Sequence, residues 1–223
     1  MFSDSALPHA ASSPLTIVSW NLLHQEGATL EDITLLIRVT KPDILLLQEV
    51  KFGIDQLPDL VGGHYARSVL EGRPHGTACW SPMAFAPPVL LPLQPGLCAH
   101  RSAQLLQFDA AFGAFSIANV HLSHGPMLNR RQLRLIRSHL TERAIIMGDF
   151  NIVGPPLLKD FRDIGPREGT HRMLNRIPLR LDRCLVRGFN RLQARALPRF
   201  GSDHRPILVT LEPGETLSGI PLP

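Results

Sequence analysis

Asn21, Glu49, His121, Asp149 with Asn151, Asp182, and Asp203 with His204 are the side chains of this sequence that could do chemistry together. They offer hard oxygens and imidazole nitrogens, with no C-x-x-C pair and no H-E-x-x-H stretch. Such a donor set suits Mg²⁺ or Mn²⁺ rather than zinc. Glu49 is the first-choice metal ligand, with Asn21 beside it. Mg²⁺ keeps several waters and takes one or two carboxylates, so a sparse ligand set is expected. The cation would act as a Lewis acid on a phosphoryl oxygen and stabilise the leaving oxygen. Asp149 is the candidate to orient and deprotonate a water, with Asn151 holding a phosphate oxygen. His121 and His204, suitably protonated, can donate to charge developing on phosphorus. A carboxylate on the other ring nitrogen of His204 would fix its tautomer and favour the imidazolium. Each residue alone has an ordinary explanation as a turn residue, a surface charge, a core histidine or an arginine partner. Their joint occurrence at element ends is what points to one pocket.

The elements that must position them are short apolar runs. Ala144–Asn151 reads Ala-Ile-Ile-Met-Gly-Asp-Phe-Asn, a buried strand that delivers Asp149 and Asn151 to one side. Leu15–Trp20 reads as a first strand ending in Asn21, and Ile44–Leu47 as a second that delivers Gln48 and Glu49. Ala114–Val120 runs into His121. Leu181–Val186 carries Asp182, and Pro206–Leu211 is the last strand, just after Gly201-Ser202-Asp203-His204. Gly76–Trp80 and Leu105–Phe108 are weaker strand candidates. Thr29 and Asp32 have capping-box spacing ahead of a helix over Thr29–Val39. Pro126 opens a second helix to about Leu140, buried through Leu128, Leu135, Ile136 and Leu140, with Arg130, Arg134 and Arg137 on another side. Residues 51–75 and 152–180 read as loops, each with a short helix. Strands and helices alternate without a regular βαβ series, which predicts one mixed α/β domain over 15–212. Residues 1–14 read as a flexible arm without a secretory leader, and 213–223 as a flexible tail.

With 223 residues, 44% of them hydrophobic, the chain can bury one sizeable core. No apolar run approaches the roughly 20 residues that span a bilayer. Cys79, Cys98 and Cys184 are scattered, which argues against a disulfide framework and predicts a reducing, cytoplasmic setting. The net charge of +4 and pI of about 9.4 fit an anionic partner. Residues 1–60 hold three basic and eight acidic groups, a balance of −5, and residues 159–205 hold twelve basic and five acidic, a balance of +7. Twenty of the 23 basic residues are Arg, whose fork matches phosphate. That region is either a phosphate-facing surface or a solvated face.

Ser-Trp-Asn (19–21), Leu-Gln-Glu-Val (47–50), Asn-Val-His-Leu (119–122), Gly-Asp-Phe-Asn (148–151), Arg-Leu-Asp-Arg (180–183) and Ser-Asp-His-Arg-Pro (202–206) resemble the endonuclease/exonuclease/phosphatase superfamily of deoxyribonuclease I-like phosphoesterases. The resemblance runs from about Leu15 to Leu211. It implies a four-layer α/β/β/α sandwich, two mixed sheets face to face with helices outside. It also implies metal-dependent, in-line attack of water on a phosphoester without a covalent enzyme intermediate. By the same resemblance, Asp182 orients His204, and Asp203 belongs to the metal or nucleophile neighbourhood. Position 121 is His, as in deoxyribonuclease I-like and sphingomyelinase-like members, where abasic-site endonucleases tend to have Tyr. The stretch after Asn21 also lacks the acidic residue that those endonucleases carry. Arg183 stands where many relatives have Tyr. Only 33 positions separate Asp149 from Asp182, so substrate-gripping insertions look reduced.

Three functions fit. The first is a nucleic-acid phosphodiesterase, with the Arg-rich region and the Arg130/Arg134/Arg137 stripe neutralising phosphates. Only 6% of residues are aromatic, with Tyr65 the single tyrosine, so stacking platforms are few. The second is a phospholipid or small-phosphoester hydrolase touching a membrane surface, although no amphipathic anchor is visible. The third is a non-catalytic binding module, the weakest reading because no member of the acid, amide and imidazole set is missing. The expectation is a Mg²⁺- or Mn²⁺-dependent phosphodiesterase acting on nucleic acid.

Overall fold

The computed structural model describes residues 13–23, 27–96, 100–173 and 176–214. The expectations for most of the arm (1–12), most of the tail (215–223) and Cys98 lie outside the described residues. In chain order the elements are β1 (Leu15–Asn21), α1 (Leu30–Thr40), β2 (Ile44–Val50), a 3₁₀ turn (Phe52–Gln56), α2 (Leu57–Val61), β3 (His64–Ser68), β4 (Gly76–Ser81), β5 (Val89–Pro92), β6 (Ser102–Ala110), β7 (Gly113–His121), α3 (Pro126–Arg137), β8 (Ala144–Asp149), β9 (Arg162–Asp163), β10 (His171–Met173), β11 (Ile177–Leu179), β12 (Asp182–Arg187), β13 (Phe189–Ala196) and β14 (Ile207–Pro213).

Two six-stranded mixed sheets face each other, in the orders β13-β14-β1-β2-β4-β3 and β5-β6-β7-β8-β12-β9. Within the first, β1 runs parallel to β2 and antiparallel to β14; within the second, β7 runs parallel to β8. Alternation explains the layering. Ile17, Ile44, Leu46, Phe115, Ile117, Ile145 and Met147 point inward and form the core between the sheets. Val18, Trp20, Leu45 and Leu47 point outward and bury Ile33, Leu36 and Ile37 of α1. Ala118, Val120 and Ile146 do the same for Leu133 and Ile136 of α3. This is the expected α/β/β/α sandwich. Cys79 and Cys184 are free and buried in the inter-sheet core.

The expected capping box is present: Thr29 Oγ1 accepts from Asp32 N at 3.2 Å, and Thr29 N donates to Asp32 Oδ2 at 2.8 Å. The structure corrects the reading elsewhere. Strands β3, β5 and β13 were not anticipated; all three lie at sheet edges. An edge strand need not alternate cleanly and tolerates proline, as β5 does at Pro92. Residues 152–180 hold no helix among the described residues, but β9 and a β10–β11 hairpin. Pro155, Pro156, Pro166 and Pro178 each lack a backbone donor, which disfavours a helix interior at those positions. Helix α3 stops at Arg137, three residues early; Ile136 is buried as expected and Leu133 joins it, while Leu135 and Leu140 are partly buried against the same cluster and Leu128 is only half-buried.

The Arg-rich stretch is not simply a phosphate-facing surface. Arg183 is buried and holds Asp163 at 3.1 Å and Gly154 O at 2.9 Å. Arg180 grips Asp163 through two 2.8 Å bonds. Arg162 donates to Phe189 O at 2.7 Å, and Arg205 to Leu197 O at 2.7 Å and Ala196 O at 2.8 Å. On α3, Arg137 pairs with Asp160. Guanidinium forks bind loop carbonyls as readily as phosphate, since both are oxygen acceptors.

Candidate active site

The alternation that packs the core also builds the site. Following the inner face toward one end gives Ile17, Ser19 and Asn21 on β1; Leu46 and Gln48 on β2; Ile117, Asn119 and His121 on β7; Met147 and Asp149 on β8; Cys184 and Asp182 on β12. Register places His121 opposite Asp149 and Asp149 opposite Asp182, so these three stand in a row. Beneath them a buried polar layer joins the sheets. Gln48 Nε2 donates to Asn119 Oδ1 at 2.8 Å and Ser19 Oγ at 3.1 Å, and Asn119 Nδ2 donates to Leu47 O at 3.1 Å and Ala78 O at 3.0 Å. Apart from Gln48 Oε1, which has no partner among the described residues, these groups are matched, and a network of this kind favours one arrangement of the sheets.

Asp149 is the hub. Its Oδ2 accepts from Asn21 Nδ2 and Asn151 Nδ2, each at 3.1 Å, and its Oδ1 from Asn151 N at 2.9 Å. His121 Nε2 lies 3.4 Å and His204 Nε2 3.9 Å from the same Oδ2. The second nitrogen of each imidazole is held differently. His204 Nδ1 bonds Asp182 Oδ2 at 2.9 Å, the pairing expected from the sequence. His121 Nδ1 lies 3.1 Å from Arg101 Nη1. Arginine only donates, so His121 Nδ1 accepts and the neutral ring carries its proton on Nε2.

Glu49 reaches the site by a local device. Strict alternation would turn it away from the inner face that holds Gln48. Instead the β2–β4 register shifts between Gln48 and Val50, and Glu49 takes φ 58°. A bulge of this sort re-aims a side chain, and Glu49 Oε1 comes within 3.8 Å of His121 Nε2. Asn151 also has a left-handed backbone, φ 49°, while its side chain bonds Leu122 O at 3.1 Å. Two non-glycine residues in that region at one site is local strain held by the surroundings.

Further residues, some of them outside any sequence motif, complete the shell. Arg101 stands just ahead of β6, which pairs with β7. Thr170 Oγ1 accepts from Asp182 N at 3.1 Å and Leu181 N at 3.2 Å, pinning the start of β12. Ser202 Oγ donates to Asn21 O at 2.7 Å and accepts from His204 N at 3.1 Å, tying the His204 loop to β1. His171 packs its ring 4.5 Å from that of His204. Asp203 is placed on this side, its Oδ2 3.5 Å from His171 Nδ1. Ligand atoms of Asp149, Asp182 and His204 lie within 4.8 Å of one another, as do those of His171, Asp203 and His204.

Electrostatics separate the roles. Burial drives the His121 imidazole well below its ordinary range, and Arg101 adds to this, so the ring is neutral. Burial opposes charge on His204 too, but Asp182 and Asp149 outweigh it and push its pKa up to about 10. Burial raises the Asp149 carboxyl, with Asp182 adding to the effect and His204 opposing it.

A buried carboxylate at the rim of a two-sheet sandwich, flanked by one neutral and one charged imidazole, is a site for phosphoester chemistry. The sequence profile of the Endonuclease/Exonuclease/phosphatase family matches residues 18–204, and the chain belongs to that family. Its members are hydrolases acting on phosphoester bonds. Solved structures share the fold. Humanized D. rerio TDP2 carrying 14 mutations superposes with a TM-score of 0.76 at 20% identity, over 90% of this chain and 100% of that one. D. rerio TDP2 complexed with single strand DNA product gives 0.74 at 17% identity, over 90% and 99%. An endonuclease/exonuclease/phosphatase from Beutenbergia cavernae gives 0.71 at 19% identity, over 91% and 72%. Comparison with curated proteins returns no match. Among the described residues, no helix is long and apolar enough to cross a membrane.

Proposed function

We propose that this chain is a divalent-metal-dependent phosphodiesterase that cleaves nucleic acid by direct attack of water on a backbone phosphorus. The observation that carries the reading is the convergence on Asp149 Oδ2 of two amides at 3.1 Å and two imidazoles at 3.4 and 3.9 Å. The donors fit a hard cation: Glu49, Asn21 and Asp149 present oxygens, while both described thiols are buried between the sheets. The burial that raises the Asp149 carboxyl is relieved by a nearby cation. Glu49 and Asn21 would hold Mg²⁺ or Mn²⁺. When bound, such an ion polarises a phosphoryl oxygen and stabilises the leaving oxygen.

Asp149 accepts a proton from the attacking water, its carboxylate held in one orientation by the Asn21 and Asn151 amides. His121 and His204 donate from Nε2 to the phosphoryl oxygens, while both amide hydrogens of Asn151 go to Asp149 Oδ2 and Leu122 O, so Asn151 steadies the carboxylate rather than gripping the phosphate oxygen expected of it. The water oxygen joins phosphorus as the ester P–O bond breaks; Asp149 takes the proton of the attacking water, and the departing alkoxide takes one from a solvent water. Asp182 keeps His204 charged and aimed. Asp203 stands beyond His204 and steadies the His171/His204 pair in this reading, rather than the cation. Nucleic acid is supported by the basic composition and by the TDP2 neighbour complexed with single strand DNA product.

A substrate panel in Mg²⁺ tests this, spanning duplex and single-stranded DNA, RNA, lipid and mononucleotide esters. Oligonucleotides should be the best substrates. Asp149→Ala and His204→Ala should each lower kcat/KM at least about 100-fold, with circular dichroism unchanged. Preferential cleavage of lipid would overturn the substrate, and near-normal rates in either variant would overturn that residue's role.

A further inference from the structure

Beyond His121 the rim opens into a second pocket of about 30 Å³, lined by Arg73, His75, Thr77, His100, Arg101 and His121. Its polar lining is rich in donors: two guanidiniums, three imidazoles and the hydroxyls of Thr77 and Ser102, beside Leu70. Two of its donors have nothing to bind. Arg101 Nε and Thr77 Oγ1 are buried and have no hydrogen-bond partner among the described residues, and Thr77 as a whole is 4% exposed. Buried donors are rarely left unmatched, and two of them in one pocket mark a missing acceptor.

We propose that this pocket binds a second phosphoryl group of the substrate, the one next to the phosphate being cleaved. The proposal rests on the nucleic-acid reading above and adds a subsite to it. Size is compatible: at about 10–15 Å³ per water, the pocket has room for two or three water-sized atoms, enough for phosphoryl oxygens. Arg101 supplies the link. Its Nη1 donates to His121 Nδ1 at 3.1 Å, while its unpaired Nε faces a different direction on the same rigid fork. One guanidinium thereby joins the catalytic imidazole to the neighbouring phosphate. Arg73 and His100 line the same pocket and add nitrogen donors to it. A substrate phosphorylated on both sides of the scissile bond's sugar is preferred over an isolated diester.

The test is equilibrium binding to the full chain in Mg²⁺ of three dithymidine phosphorothioates, which turn over slowly. One has hydroxyls at both ends, one a 5′-phosphate and one a 3′-phosphate. One of the phosphorylated forms should bind at least about tenfold tighter than the plain dimer. Arg73→Gln combined with His100→Gln should remove that preference and leave the plain dimer's affinity within about twofold. Equal affinity for all three ligands, binding of none, or a preference that survives the double substitution overturns the subsite. Because this binding test reads no turnover, it is independent of the substrate panel: cleavage in the panel without preference here would sink the pocket alone, and preference here without cleavage in the panel would sink the catalytic reading alone.

Discussion

His121 and His204 are one residue type set to two states by what holds Nδ1. An arginine donates to the first, and a buried carboxylate accepts from the second. One ring is therefore a neutral donor and the other a cation, which suits a phosphorus centre that gains charge in the transition state. The His204 pairing also has a stability signature. Its folded pKa of about 10 lies above the ordinary 6.5. Between those values the folded chain keeps a proton that the unfolded chain has lost. The contribution is fully present below pH 6.5 and drains away as pH rises through about 10. In metal-free protein, urea unfolding should therefore show stability falling over that window. Asp182→Asn should flatten the fall, and parallel curves for the two proteins would contradict the assignment.

At the level of elements, β8 shows how close packing delivers the hub. Gly148 has φ +144°, and a Cβ there would sit 2.1 Å from Val120 O on β7. Gly148→Ala must push the two parallel strands apart just beneath Asp149. It should cost about 2–4 kcal/mol in urea unfolding, and a loss under about 1 kcal/mol would show that the strands can give. The central strands were legible because each is a buried apolar run, with its polar residue appearing in phase at the end: Asn21, His121 and Asp149 follow from parity alone. The edge strands were not, because they bury too little to print a pattern; β13 exposes most of Phe189–Ala196. Glu49 could be named as a candidate ligand but not aimed, since its bulge depends on pairing with β4. Arg101, Thr170 and His171 carried no local signal. Strand register and a hairpin bring them to the site, and neither is written in neighbouring residues.

Across the whole molecule the basic charge is partly spent on holding loops. Arg180, Arg183 and Arg205 bind carboxylates or backbone carbonyls of the chain itself, so a charge count overstates what a polyanion meets. Binding of single-stranded DNA should engage about three or four phosphates, giving a log K against log salt slope of about −2 to −3. A slope steeper than about −6 would mean that the tied arginines also bind.

Asn21 and Glu49 ride on one sheet, and His121, Asp149 and Asp182 on the other. Neither leaf of the sandwich carries a working half. A slight parting of the leaves disarms the molecule while every strand is still intact. Conversely, whatever grips both rims at once acts as a rivet, so an inhibitor chosen to span that gap would protect the protein from heat as it silences it.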